Sequence, residues 1–303
     1  MRTLFRMPRA QVLCRVLPLI VGMSCAPRVD PSVLYEGDSA YSHITVRDEG
    51  ANRCLYFGRT DAVQSCIRRD APDHAVFEYT QLMFAGLALT PAPRRVLMVG
   101  LGGGVVSGVF ARHLPDVSVD IVEVDGRVVE LCRKYFHLSD RPNQRIHVGD
   151  GRTFVRRAPR GEYDLILLDA YLGDSIPFHL MTAEFLAQVR AALAPGGAVV
   201  ANVWDGSALF DAELRTFEHV FPGEVYVFRG AGNAMIAALP DQPRRSRETL
   251  LRVARESAAG RALPFDLAAE VRKYDPTTSR AGDAPVLTDD RAPVHSLLRR
   301  RRG

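Results

Sequence analysis

Hydrophobic and polar positions change rhythm twice along the chain. Between residues 40 and 70 the apolar runs are short: Ile44-Thr45-Val46, Cys54-Leu55-Tyr56-Phe57 and Ala62-Val63-Gln64-Ser65-Cys66-Ile67. Turns rich in Asp and Gly, such as Asp48-Glu49-Gly50-Ala51-Asn52, separate them, a pattern that predicts a β-meander. A helix is expected over 73–89, capped by Asp73 and ended by Pro91 and Pro93. Strand–helix alternation follows. Apolar strands are predicted at 95–99, 119–124, 146–148, 163–168 and 198–203, spaced to leave room for a helix between each. Val225–Phe228 and Ala234–Ala238, joined by a short link, read as a closing antiparallel hairpin, and residues 241–283 as one or two amphipathic surface helices.

Strands that are apolar throughout belong to a parallel sheet covered on both faces. The expected fold is therefore α/β: a class I methyltransferase-like, doubly wound, mostly parallel sheet with a small N-terminal β-meander domain. The chain divides into a leader (1–33), the meander (34–72), a nucleoside-binding α/β domain (73–240) and a C-terminal helical extension with a basic tail (241–303).

Composition narrows the function classes. The 303 residues are 47% hydrophobic and 24% charged, and no apolar run is long enough for a spanning helix. The net charge of +4 is mild, which argues against a nucleic-acid partner, and the Arg299–Arg302 cluster reads as a solvated tail. In the leader, Arg2, Arg6, Arg9 and Arg15 accompany a short apolar stretch, Val16 to Met23, before Ser24-Cys25-Ala26-Pro27, the layout of a secretory signal. Cys25 resembles the lipidated cysteine of a bacterial lipoprotein. An exported protein anchored to the membrane through Cys25 is favoured over a cytoplasmic one. The five cysteines show no metal-ligand spacing, so no metal site is expected. Cys54 and Cys66 fall on adjacent predicted strands, as a cross-strand disulfide or as two free thiols.

The candidate chemistry gathers at strand ends. Gly100, Gly102 and Gly104 lie in a Gly-rich turn, Gly100-Leu101-Gly102-Gly103-Gly104, where the backbone can approach a ligand. Glu123 ends the next strand, about twenty residues on, where an acid accepts hydrogen bonds from ribose hydroxyls; Asp125 is a weaker candidate. Asp150-Gly151 follows the third strand, where an Asp can meet an adenine amino group, and Asp169 ends the fourth. Carboxylates gathered in one cleft repel each other. Their grouping therefore points to a ligand bearing hydroxyl, amino or cationic groups.

Tyr41-Ser42-His43-Ile44, Val63-Gln64-Ser65, the Gly100–Gly104 turn, Val122-Glu123-Val124-Asp125, His147-Val148-Gly149-Asp150-Gly151 and Leu168-Asp169 occur in the order of the spermidine synthase family, which this chain resembles from about residue 34 to 240. Glu78-Tyr79-Thr80, the segment Asp169 to Leu180 and the segment Leu287 to Val294 are similar to a divergent bacterial branch, some members of which are fused to a membrane transporter. The resemblance implies aminopropyl transfer from decarboxylated S-adenosylmethionine to a putrescine-like amine. It also implies Asp169 as the base, Gln64 near the nucleoside, Tyr79 along the amine channel, Asp174 as a second amine-binding carboxylate, and a homo-oligomer. The family places an Asp at position 103, as anchor for the donor's ammonium, and this chain has Gly103. An S-adenosylmethionine-dependent methyltransferase and a non-catalytic nucleoside- or polyamine-binding protein stay open as alternatives.

Overall fold

A computed structural model describes residues 30–59, 63–72, 74–173, 175–277 and 282–290. Two sheets, both within the unit Ser32–Gly303, carry the architecture. The first is an antiparallel meander of β1 (Val33–Asp38), β2 (His43–Glu49), β3 (Asn52–Phe57) and β4 (Val63–Arg68), paired in chain order. Its first strand was not foreseen, because the polar Glu36-Gly37-Asp38 end of β1 hides the alternation. Cys54 and Cys66 face each other across β3 and β4 with their Cα atoms 4.1 Å apart, and they are bonded.

The second sheet has seven strands. They are β5 (Arg95–Val99), β6 (Ser118–Glu123), β7 (Gln144–Val148), β8 (Tyr163–Leu168), β9 (Leu193–Trp204), β10 (Val225–Arg229) and β11 (Asn233–Ala238), in the spatial order β10-β11-β9-β8-β5-β6-β7. β5 to β9 run parallel, and the β10–β11 hairpin closes one edge antiparallel. The apolar strands divide their side chains between two cores. Val96 and Met98 of β5, with Leu165 and Leu167 of β8, enter one core, which also takes Ile44, Leu55 and Ile67 of the meander. Leu97, Val99, Ile166 and Leu168 enter the other. Each such side chain contributes about 1.5–3 kcal/mol of burial energy, and this fixes the register that brings the strand ends level.

The helices are α1 (Glu78–Leu82), α2 (Val105–His113), α3 (Gly126–Tyr135), α4 (Gly151–Arg157), α5 (Ala183–Ala192), α6 (Phe210–Val220), α7 (Arg247–Ala258) and α8 (Leu267–Arg272). The helix expected over 73–89 is shorter and mixed: α1 passes into a 3₁₀ segment, Met83–Ala88. That segment lies close on the sheet, since a Cβ at Gly86 would stand 2.8 Å from Leu165 and 2.9 Å from Val200. The proposed cap Asp73 lies outside the described residues, as do residues 1–29 of the leader, with Cys25, and the Arg299–Arg302 cluster.

β5 is the switch point. The chain leaves it toward β6 on one side and returns through β8 on the other, so a crevice opens beyond the carboxyl ends of β5 and β8.

Candidate active site

A cavity of about 590 Å³ fills that crevice and extends under the meander. Gly100, Gly102, Glu123, Asp150, Gly151, Asp169, Gln64 and Tyr79 all line it. Gly104 does not. Its left-handed backbone (φ 75°) supplies the N-terminal cap of α2 instead. Asp174 lies outside the described residues.

Gly100 is demanded by closeness. Its φ is +100°, and a Cβ there would stand 2.1 Å from the carbonyl oxygen of Asp169. The absent side chain lets the glycine turn and the end of β8 meet. Glu123 is buried below this turn. Its Oε2 accepts from the Leu101 N–H and its Oε1 from the Asp125 N–H, each at 3.0 Å. Burial pushes its carboxyl above the ordinary value, while these backbone donors pull the other way. Each oxygen keeps acceptor capacity for a ribose hydroxyl. Asp125 is spent on capping α3 through the Arg127 N–H and is not part of the cavity lining.

Asp150 caps α4, accepting from the Thr153 N–H at 2.7 Å, and its second oxygen meets His179 Nε2 at 2.9 Å. Burial pushes this carboxyl up, but the hydrogen bonds from Thr153 and His179 outweigh it and hold it below the ordinary value. Next to Gly151, Arg152 forks onto Asp289 at 2.7 and 2.6 Å and reaches the His179 carbonyl at 3.2 Å. Leu287 is fully buried nearby. The segment Leu287–Asp290 thus braces the wall that carries His179.

Asp169 sits at the end of β8, where burial pushes its carboxyl up to about 7. A hydrogen bond from Asn202 Nδ2 at 2.8 Å works against that shift, and the charge of Glu123 adds to it. Asn202 Oδ1 in turn accepts from Asn233 Nδ2 at 2.9 Å. Tyr79 donates to the Gln64 carbonyl at 3.3 Å. Burial, then the charges of Asp169 and Tyr171, push its phenol well above the ordinary value, so it stays neutral. A neutral phenol beside an acid that titrates near neutrality can orient an amine while the acid takes its proton.

Gly103 has a local cause. A Cβ there would lie 2.6 Å from Ser65 Oγ and 2.9 Å from Ser65 Cβ. A side chain at 103 would therefore press on Ser65, and an aspartate there requires Ser65 to shift.

Sequence reasoning missed His179, Asn202, Tyr171, Trp204 and Asn233, all of which line the cavity. One signal was present: Asn202 is a polar residue near the end of an otherwise apolar strand, level with Asp169.

A spermine/spermidine synthase domain matches residues 76–230. The polyamine aminopropyltransferase of Vibrio vulnificus is 35% identical, over 94% of this chain and 96% of that protein. The chain belongs to the spermine/spermidine synthase family. Its fold is shared with a probable spermidine synthase from Corynebacterium glutamicum, at TM-score 0.67 and 23% identity, covering 85% of this chain and 97% of that one. Human methyltransferase-like protein 13 in complex with SAH aligns at TM-score 0.53 and 26% identity, over 67% of this chain and 97% of that one. The methyltransferase-like sheet and the antiparallel meander expected from the sequence are both present.

Proposed function

We propose that this chain moves an aminopropyl group from decarboxylated S-adenosylmethionine to an amine; its Vibrio vulnificus relative is named a polyamine aminopropyltransferase. The observation that carries the reading is Asp169: a half-buried carboxyl, poised near neutrality, at the switch point between the Gly100 turn and the ends of β8 and β9.

The chemistry needs alignment and one base. Nucleoside groups lie against the β5–β6–β7 side, with ribose hydroxyls on Glu123 and the adenine edge near Asp150. The incoming ammonium meets Asp169 on the β8 side and gives up a proton to its carboxylate. The freed nitrogen lone pair then attacks the methylene carbon next to the sulfonium. A C–N bond forms, the C–S bond breaks, its electron pair returns to sulfur, and methylthioadenosine leaves.

Donor choice is where Gly103 matters. The family's anion is absent at that position, yet no arginine or lysine lines the cavity among the described residues, whereas Glu123, Asp150 and Asp169 do. A carboxylate on the donor would enter an acidic cavity with no arginine or lysine to receive it, and His179 is already paired with Asp150, which favours the decarboxylated donor. Equilibrium binding of decarboxylated and intact S-adenosylmethionine, followed by methylthioadenosine release with a diamine, tests the reading. Tighter binding of the intact donor, with no methylthioadenosine formed, would overturn it.

For location, the Cys54–Cys66 disulfide supports an oxidising compartment, in keeping with a leader that carries the candidate lipidation residue Cys25. Export with lipidation at Cys25 predicts a membrane-associated product that Cys25→Ala releases. A cytoplasmic product with reduced Cys54 and Cys66 contradicts it.

A further inference from the structure

The chain returns to the cavity wall at its far end. Leu287 is fully buried in a small apolar cluster with Met181, Leu209 and Ala212. Its N–H donates to Thr216 Oγ1 on α6 at 2.9 Å, and its carbonyl accepts from the Ala183 N–H, at the start of α5, at 2.8 Å. Two residues on, the Asp289 N–H donates to Glu184 Oε2 at 3.0 Å. Residues 287–289 are thus a strap whose backbone is fixed on two helices, and a fixed backbone aims the Asp289 carboxylate.

That carboxylate holds Arg152, whose side chain is only 18% exposed. The two meet as a fork, at 2.7 and 2.6 Å, which sets the plane of the guanidinium as well as its distance. The same Arg152 Nη1 donates to the His179 carbonyl at 3.2 Å, while His179 Nε2 meets Asp150 Oδ2 at 2.9 Å. Asp150 is held below the ordinary value, and an ionised carboxylate only accepts, so the proton of this bond sits on Nε2. His179 is therefore gripped twice from α4, by Arg152 at its backbone and by the cap residue Asp150 at its ring.

The loop that carries His179 depends on this grip. Residues 170–181 lead from β8 to α5, and Tyr171, Pro177, His179 and Leu180 among them line the cavity. Among the described residues the loop's own backbone bonds close only short turns, Leu172 to Ser175, Leu180 to Pro177 and Met181 to Phe178. Tyr171 adds a long bond to the Asn202 carbonyl at 3.4 Å. Ile176 and Phe178 pack on the cluster that contains Leu287, so the apolar hold on the loop also runs through the strap. Short turns fix local shape. They do not fix how far the loop stands from Asp150.

We infer that Asp289 is a positioning residue for the donor: through Arg152 it holds His179 against Asp150 and so sets the nucleoside end of the cavity. The inference rests on the aminopropyl-transfer reading above. It gives work to the segment Leu287–Val294, of which residues 287–290 are described. The amine end, at Asp169 and Asn202, is set by β8 and β9 and lies outside its reach.

Asp289→Ala should raise the donor KM and the methylthioadenosine Kd by about 2- to 30-fold, the range for a contact that acts through a network. The amine KM, and kcat at saturating donor, should move far less. Asp289→Glu, which can still fork onto Arg152, should recover part of the loss. A double-mutant cycle with His179→Ala separates positioning from general stability. Because Asp289 acts through His179, its replacement should add little to the Kd once His179 is gone. If the wild type binds methylthioadenosine and Asp289→Ala leaves that affinity unchanged, or if the two losses add in full, the inference is wrong and the transfer reading stands. If methylthioadenosine binds and responds to Asp289→Ala as expected while no amine consumes the donor, the transfer reading falls and the positioning role remains. Should Asp289→Ala lose its thermal unfolding transition, Arg152→Lys takes its place, since lysine keeps the charge and cannot fork. A raised Kd in that variant supports the inference, and an unchanged one overturns it.

Discussion

Asn202 hands its carboxamide N–H to Asp169 Oδ1 across 2.8 Å, and this bond favours the charged form of an acid that burial drives toward neutrality. Removing it should raise the Asp169 pKa further. Asn202→Ala is therefore expected to move the acid limb of the kcat/KM profile upward by roughly half to one pH unit, the worth of one neutral hydrogen bond. Activity lost at pH 7 should return at higher pH. A profile that drops uniformly without shifting would mean that Asn202 only shapes the pocket.

Glu123 receives a backbone N–H on each oxygen, from Leu101 and Asp125. A glutamine can accept on one side only, and its NH₂ would oppose one of those donors. Glu123→Gln should weaken methylthioadenosine binding by about 1–3 kcal/mol. Calorimetric titration checks this, and unchanged affinity would remove Glu123 from the nucleoside site.

A Cβ at Gly103 would stand only 2.6 Å from Ser65 Oγ and force a shift there. Gly103→Asp alone should therefore lower Tm. Adding Ser65→Gly should restore part of the loss and sharpen discrimination against intact S-adenosylmethionine. A single variant that is as stable as the parent would show that the meander yields at this point.

The strand ends were legible because parallel strands are apolar throughout and stop abruptly at chemistry. Val99 passes to Gly100, Val122 to Glu123 and Leu168 to Asp169, and each polar residue arrives where the sheet meets the cavity. What pairs with those residues was not legible. His179 reaches Asp150 from a 3₁₀ turn, Phe178–Leu180, 29 residues on, and Asn233 reaches Asn202 from the other limb of a ladder. Those contacts depend on tertiary packing that no local pattern encodes. Gly104 shows the opposite error: its membership of a Gly-rich turn suggested ligand contact, and its actual work is to cap α2.

Glu213 is buried on α6 with Oε2 unpartnered, and burial raises its carboxyl to about 7. In the unfolded chain it ionises near its ordinary value, so between about pH 4.5 and 7 the unfolded state binds fewer protons than the folded one. Stability should fall as pH rises through that window, by roughly 3 kcal/mol from this group once pH exceeds 7. Asp169 contributes a slope of the same sign. Glu213→Gln should flatten the decline measured by urea unfolding at pH 5 and pH 8. An unaltered slope would mean that the carboxylate is already neutralised in solution.

The most direct test of the account is the pH profile of transfer in wild type and Asp169→Asn. The folded carboxyl titrates at about 7 and must be ionised to take the amine's proton, so wild-type kcat/KM should fall as pH drops below about 7. Asp169→Asn keeps the shape and removes the charge. It should bind methylthioadenosine as before, transfer roughly 10²–10⁴-fold more slowly, and lose that acid limb. Equal turnover with asparagine at 169, or an acid limb that persists unchanged in the variant, would contradict the assignment of Asp169 as the base.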